Sequence, residues 1–190
     1  MDAKLEARVR EMLDKQEIHE VLMRYCRGVD RGEADLVTAS YHPDAVDDRG
    51  AMAVVGRDTG AKFTGSKAMT KTRQAGGQHF TGNVLIELEG DKAYVESYFI
   101  SFAATEKDDG EYTRMRGARY LDRFERRGGA WKIAYRVVAD EWDRLDKLVE
   151  ASPGWNTWIR GNVREKDPWA TFKSGATRDK EQDLRKKLGV

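Results

Sequence analysis

Gly77-Gln78-His79-Phe80-Thr81-Gly82-Asn83-Val84-Leu85-Ile86-Glu87-Leu88 is the stretch on which the reading of the fold turns. Its period-two alternation predicts a strand that opens on a histidine. Strict alternation puts Phe80, Gly82, Val84, Ile86 and Leu88 on one face and His79, Thr81, Asn83 and Leu85 on the other. A face of imidazole, hydroxyl, carboxamide and leucine is too polar for a dry core and too apolar for a wet surface. It has the make-up of a small-molecule pocket wall, mostly apolar with a few fixed polar groups. A histidine at a strand start also serves as a plain anchor for a loop, so the functional reading needs an acid from elsewhere in the chain.

Working downstream, His79–Leu88 is the first of four predicted strands, and Glu89-Gly90-Asp91-Lys92 is a hairpin-type turn. Ala93–Ala103 carries Tyr94, Tyr98, Ile100 and Phe102 at even spacing. Glu106–Gly110 reads as a polar, mobile loop before the third strand, Thr113–Glu125, and Arg126–Gly129 turns into the fourth, Trp131–Trp142. Upstream, residues 3 to about 30 form a helix: Ile18, Val21, Leu22, Tyr25, Cys26 and Val29 make one apolar stripe, with Glu11 and Lys15 paired four apart off it. Gly32 suits a left-handed cap, and a short helix, Glu33–Ser40, follows. Tyr41–Asp48 begins as a turn around Pro43 and becomes a short strand, which 51–56 either continues or bends away from. Gly60 to about Ala75 is a weaker helix, with Phe63, Ala68 and Met69 inside and Lys62, Lys67, Lys71 and Arg73 outside. Helices followed by long antiparallel strands predict an α+β domain: a curved sheet wrapped on the long N-terminal helix into a cone-shaped α+β barrel with one deep apolar pocket.

That domain is expected over residues 1–145, with 146–190 a C-terminal extension serving as pocket cover, subunit contact or tail. Arg144–Glu150 reads as one or two helical turns, Trp155, Trp158 and Ile159 as an apolar cluster, and Arg178–Lys187 as a solvated helix or disordered tail. The 34 basic and 33 acidic residues are interspersed for a net charge of +1, so there is no electrostatic case for nucleic acid or an anionic membrane. One cysteine, Cys26, fits a reducing compartment, and no apolar run suggests a signal peptide or a membrane span. The expectation is a soluble cytoplasmic protein. Gly76-Gly77 and Gly128-Gly129 sit in turn contexts without the helix of a phosphate loop, and His19, His42 and His79 lack metal-ligand spacing with carboxylates. The sequence therefore calls for no cofactor and no metal. His42 reads as structural, His19 as exposed, and Cys26 as a small core residue.

Asp30 is the acid that the opening stretch requires. It ends the long helix, one step off the apolar stripe, at the negative end of the helix dipole, where a carboxylate is unfavourable without a partner. Arg27 or Arg31 would suffice. If the sheet wraps the helix, however, Asp30 and His79 meet inside the cavity, and an acid on one imidazole nitrogen leaves the other free as a general base.

Five segments carry a further signal: Tyr25-Cys-Arg-Gly-Val-Asp30-Arg-Gly, Tyr41-His-Pro-Asp-Ala-Val-Asp-Asp48, Gln78-His79-Phe-Thr-Gly-Asn83, Gly90–Tyr98, and Arg119–Ile133 through Trp131. In order and spacing they resemble the SnoaL-like branch of the nuclear transport factor 2-like superfamily, over roughly residues 10 to 145. The relatives that say most about the site are cofactor-independent lyases of the scytalone dehydratase, bile-acid 7α-dehydratase and lindane dehydrochlorinase type. The resemblance implies a catalytic Asp30–His79 dyad and a substrate-facing Tyr25, five residues before the acid. Phe80 stands where many such sequences have a second histidine, and Asp48-Arg49 where the two dehydratases have a tyrosine. Arg49, Asn83 and Arg136 complete the candidate substrate-binding residues; for Asn83 the plain alternative is a tie to a loop, and for Arg136 a surface ion pair.

The expectation is a lyase that removes a proton and eliminates a leaving group, by dehydration, from an apolar aromatic or polycyclic molecule. The scaffold hosts many activities, so the alternatives stay open: a carbon–carbon lyase releasing formaldehyde from a diarylpropane-type diol, a polyketide cyclase, or a non-catalytic ligand-binding or assembly module. Members of this fold assemble through the open sheet face, implying a homodimer or homotrimer.

Overall fold

The apolar stripe of the first helix decides what the sheet must cover. In the computed structural model, residues 2–64, 77–147, 157, 159, 161–164 and 167–189 are described. Helix α1 (Ala3–Arg31) is capped by the Asp2 carboxylate at its start and by Gly32 at its end, where φ is 70° and the cap N–H donates to the Gly28 carbonyl. Its stripe, Ile18, Val21, Leu22, Tyr25 and Cys26, is buried, and Lys15 pairs with Glu11 at 2.6 Å on the wet side. His19 is half-buried rather than exposed. Helix α2 (Ala34–Ala39) packs back on α1, and a Cβ on Gly28 would lie 2.7 Å from Val37 Cγ2, so this crossing needs a glycine.

The sheet is mixed and open, in the order β2-β1-β6-β5-β4-β3. Strand β1 (Tyr41–Asp48) runs parallel to β6 (Ala130–Lys147), and β2 (Ala53–Val55) pairs antiparallel with β1. Tyr41–Asp48 is expected to begin as a turn around Pro43, but the whole segment is strand. The register shift between Tyr41 and Val46 accommodates Pro43, which has no N–H for the ladder. A 3-10 turn (Gly56–Asp58) leads into α3 (Thr59–Thr64). The rest of the expected third helix, with Ala68, Met69, Lys67, Lys71 and Arg73, lies outside the described residues.

Strands β3 (Gln78–Glu89), β4 (Lys92–Lys107), β5 (Gly110–Arg127) and β6 form one antiparallel meander. They run longer than the sequence suggests. The expected mobile loop at 106–110 is a tight two-residue turn, with Lys107 opposite Gly110. Arg144–Lys147 continues β6 instead of starting a helix, held by cross-strand pairs such as Lys147 to Asp109 at 2.9 Å.

The concave face carries the core: Val95 and Phe99 of β4, Ala118, Tyr120 and Phe124 of β5, and Trp131 and Ile133 of β6 close on the α1 stripe. The outer face leaves Tyr94, Tyr98, Ile100 and Tyr135 exposed, with a shallow groove among Leu85, Tyr94, Leu121 and Tyr135. Of the C-terminal extension, α4 (Pro168–Ser174) is capped by Asp167, and α5 (Arg178–Leu188) buries no side chain, as a solvated helix would. Trp155 and Trp158 lie outside the described residues, and Ile159 is exposed. No helix among the described residues is long and apolar enough to cross a membrane.

Candidate active site

Two elements far apart in sequence place an acid on an imidazole. The C-terminal turn of α1 presents Asp30 to the first residues of β3. Its Oδ1 lies 2.6 Å from His79 Nδ1, and its Oδ2 accepts from the His79 backbone N–H at 2.9 Å. One carboxylate thus grips one residue at two points. The second bond fixes which end of the strand faces the helix, and the first fixes the ring. A carboxylate only accepts, so Nδ1 is the donor, and in the neutral ring Nε2 is then the nitrogen with the lone pair. Both side chains are 13% exposed, which leaves a path to the ring while excluding most water. One turn earlier, Cys26 Sγ lies 3.3 Å from Thr81 Oγ1, a second tie between α1 and β3 on the same face as His79. Burial pushes the Cys26 thiol up, so it keeps its proton, consistent with a core residue.

Aromatic rings continue the wall inward from the dyad. His79 packs on Phe99 with centroids 5.6 Å apart, Phe99 stacks on Tyr120 at 4.3 Å, and Tyr120 meets Tyr25 edge-on at 5.8 Å. Tyr25 is buried, and its hydroxyl accepts from Arg49 Nη2 at 3.0 Å. Arg49 also donates from Nε to Asp47 at 2.7 Å and lies 4.0 Å over the Phe63 ring. Desolvation opposes the Arg49 charge, but Tyr25 and Asp47 outweigh it and raise its pKa. His42 stands apart, buried in β1 with Nε2 2.9 Å from the Glu125 carbonyl, a structural tie.

Two expected substrate residues are elsewhere. Asn83 does not share the His79 face. Gly82 faces Tyr98 but Leu85 faces Glu96, so β3 holds one residue too many there, and Asn83 takes φ 47° and is exposed. The bulge reverses the alternation. Val84, Ile86 and Leu88 pack on the core alongside the His79 face, while Leu85 points out. Arg136 is not on the surface: it is fully buried, with its guanidinium forked onto Asp122 at 2.6 and 2.7 Å. Its guanidinium lies 3.9 Å from the Tyr120 centroid and 4.4 Å from that of Tyr25. Desolvation works against that charge, yet Asp122 and the tyrosines hold its pKa well above the ordinary value. The structure therefore brings Asp30, His79, Tyr25 and Arg49 toward one wall and leaves Asn83 and Arg136 out of it.

Sequence reasoning missed Asp47, Asp122, Phe99 and Tyr120. A signal for Asp122 was present, since it interrupts the alternating set Ala118, Tyr120, Phe124 that points inward along β5. Asp47 likewise follows the inward Ala45 on β1. Among the described residues no group of three or more His, Cys, Asp or Glu side chains could hold a metal ion.

A curved open sheet over one long helix defines the nuclear transport factor 2-like class of α+β folds. The SnoaL-like domain matches residues 10–137, and the chain belongs to that family. The fold is similar to a hexachlorocyclohexane dehydrochlorinase, LinA type 2, at TM-score 0.67 and 17% identity, covering 77% of this chain and 98% of that one. It is also similar to a scytalone dehydratase-like protein of Novosphingobium aromaticivorans DSM 12444, at TM-score 0.61 and 18% identity over 75% and 93% of the two chains. A nuclear transport factor 2-like protein with a cystatin-like fold from Novosphingobium aromaticivorans aligns at TM-score 0.60 and 23% identity, over 83% and 96%. No curated protein matches the sequence.

Proposed function

We propose that the protein is a cofactor-independent lyase in which His79, oriented by Asp30, removes a proton from an apolar aromatic or polycyclic substrate. The observation that carries this reading is the two-point grip of Asp30 on His79, at 2.6 and 2.9 Å. It fixes the tautomer, aims Nε2 as the base, and stabilises the imidazolium formed when the proton arrives. In a dehydration the C–H electrons become the new double bond, the hydroxyl leaves from the neighbouring carbon, and the imidazolium returns its proton to it as water. The dyad would contribute about 10²–10⁴-fold, and holding the substrate against the wall supplies the rest. That wall sets the Phe99 and Tyr120 rings between the dyad and the polar Tyr25–Arg49 pair. The LinA and scytalone dehydratase-like neighbours support elimination chemistry at the level of the fold.

The test starts with mass spectrometry of small molecules that co-purify with the protein, followed by turnover of a panel of aromatic diols, steroids and polyketides. Asp30→Asn and His79→Ala should retain binding and lose turnover. A wild type that binds members of the panel and converts none would make it a binding module instead. We also propose a cytoplasmic homodimer or homotrimer built on the outer sheet face, where Tyr94, Tyr98, Ile100 and Tyr135 are exposed. A monomer in light scattering would remove that part. The division into a 1–145 domain and a 146–190 extension belongs to the same proposal, with the extension tied to the end of α1 by Arg31–Asp167 and by Arg164 to the Gly32 carbonyl.

A further inference from the structure

Tyr25 and Tyr41, whose rings meet edge-on at 5.8 Å, differ in what their hydroxyls do with their protons. Tyr41 is saturated: it donates to Asp47 at 2.6 Å and accepts from Arg136 Nη1 at 3.3 Å. Tyr25 only accepts, from Arg49 Nη2 at 3.0 Å. A guanidinium has no lone pair to offer in return, so the Tyr25 proton must point away from Arg49. Among the described residues nothing accepts that proton. A buried hydroxyl proton without an acceptor is costly, and a bound molecule with an acceptor atom would relieve it.

We propose that Arg49 is a positioning residue: by occupying the acceptor side of the Tyr25 hydroxyl, it turns that proton toward the bound substrate. Arg49 is itself held on two sides, by Asp47 at 2.7 Å and by the Phe63 ring at 4.0 Å. It acts through Tyr25 and does not contact the substrate. The consequence is a requirement on the occupant. It is an apolar molecule carrying a neutral oxygen acceptor, a carbonyl or equivalent, at the Tyr25 end of the wall. A carboxylate is not what this end selects, because the Arg49 charge is already matched by Asp47. The inference rests on the reading of this wall as a substrate site, and is independent of which reaction His79 performs.

The probe is 2-acetylnaphthalene with a ¹³C carbonyl, compared with 2-ethylnaphthalene of the same shape and no acceptor. In the wild type the bound carbonyl stretch should shift to lower frequency, and the ketone should bind more tightly than the hydrocarbon by about threefold to tenfold, the value of one hydrogen bond. Tyr25→Phe should abolish both the shift and the preference. Arg49→Met should reduce both while the hydrocarbon still binds, and Arg49→Lys, whose ammonium can still donate to the phenol oxygen, should restore them in part. Continued hydrocarbon binding shows that the variants are folded. An unshifted carbonyl in the wild type, a shift that survives Tyr25→Phe, a shift untouched by Arg49→Met, or no binding of either probe would overturn the proposal. Loss of all turnover with the carbonyl signature intact would sink the lyase reading alone.

Discussion

Asp30 with His79 and Asp122 with Arg136 are built from the same parts, a carboxylate set against a nitrogen base on the inner side of the sheet. The first pair spans α1 and β3, is 13% exposed on each side, and engages only Nδ1 of the ring, so Nε2 has no partner among the described residues. The second joins neighbouring strands, is wholly enclosed, and has its fork filled by two bonds of 2.6 and 2.7 Å, with the Tyr120 and Tyr25 rings 3.9 and 4.4 Å from the guanidinium. Burial holds the Asp122 carboxyl above its ordinary value, and the facing guanidinium offsets part of that rise. A pair with nothing left to offer can only hold the fold; one with a spare lone pair and an opening can react. On the proposed reading, what each pair leaves unsatisfied is what separates a clamp from a site of chemistry.

The largest effect should come from breaking the closed pair. Arg136→Met or Asp122→Leu alone strands a buried charge and should cost about 3–5 kcal/mol in urea denaturation. Both changes together should cost far less, since an apolar pair of similar volume replaces the ions. If the single and double variants were equally unstable, the pair would not be acting as a unit and the contrast would fail. Breaking the open pair should give the reverse balance. Asp30→Asn should lose about 1–2 kcal/mol of stability, the worth of a charge-assisted hydrogen bond at a partly solvated site, but about 10²–10⁴-fold in turnover. A dyad variant as unstable as the Arg136 variant would make Asp30–His79 a second clamp.

The open pair was legible in the sequence and the closed one was not, for a physical reason. Asp30 stands where a helix ends and His79 where a strand begins, and such junctions are marked by Gly32 and by the switch from helical to alternating period. Arg136 and Asp122 sit mid-strand, fourteen residues apart in chain and adjacent only through the β5–β6 register, which an exposed ion pair would share. Asn83 failed for a third reason. A single bulge shifts the phase of everything after it, and nothing in Thr81-Gly82-Asn83 announces the extra residue beyond a glycine followed by an asparagine that tolerates positive φ. Alternation is read from spacing, so one uncounted residue turns the face over.

A gentler contrast lies between these buried pairs and the ion pairs along the rim of the sheet. Arg114 donates to Asp143 and Arg127 to Glu125, and those hydrogen bonds lower the pKa of both carboxyls. A carboxyl lowered on folding stabilises above its unfolded value and loses that contribution as pH falls through the folded one. Urea midpoints should therefore hold steady from pH 7 to about 5 and decline below about 4, with the decline blunted by salt because these groups are exposed. A midpoint that dropped already near pH 6 would point to a histidine as its source.

The smallest effect is the one that tests whether the concave wall is fully accounted for. Ser97, opposite Tyr120 on β4, has a buried hydroxyl with no hydrogen-bond partner among the described residues. It lies in the inward set of β4 between Val95 and Phe99, two residues from the ring that packs on His79. An unpaired buried hydroxyl carries a desolvation cost with no return, so Ser97→Ala should be neutral or stabilise by up to about 1 kcal/mol. Thermal or urea unfolding checks this directly. If the substitution instead destabilises by more than 1 kcal/mol, the hydroxyl is held by an ordered water, and the wall between Tyr120 and the dyad is wetter than its ring stacking suggests.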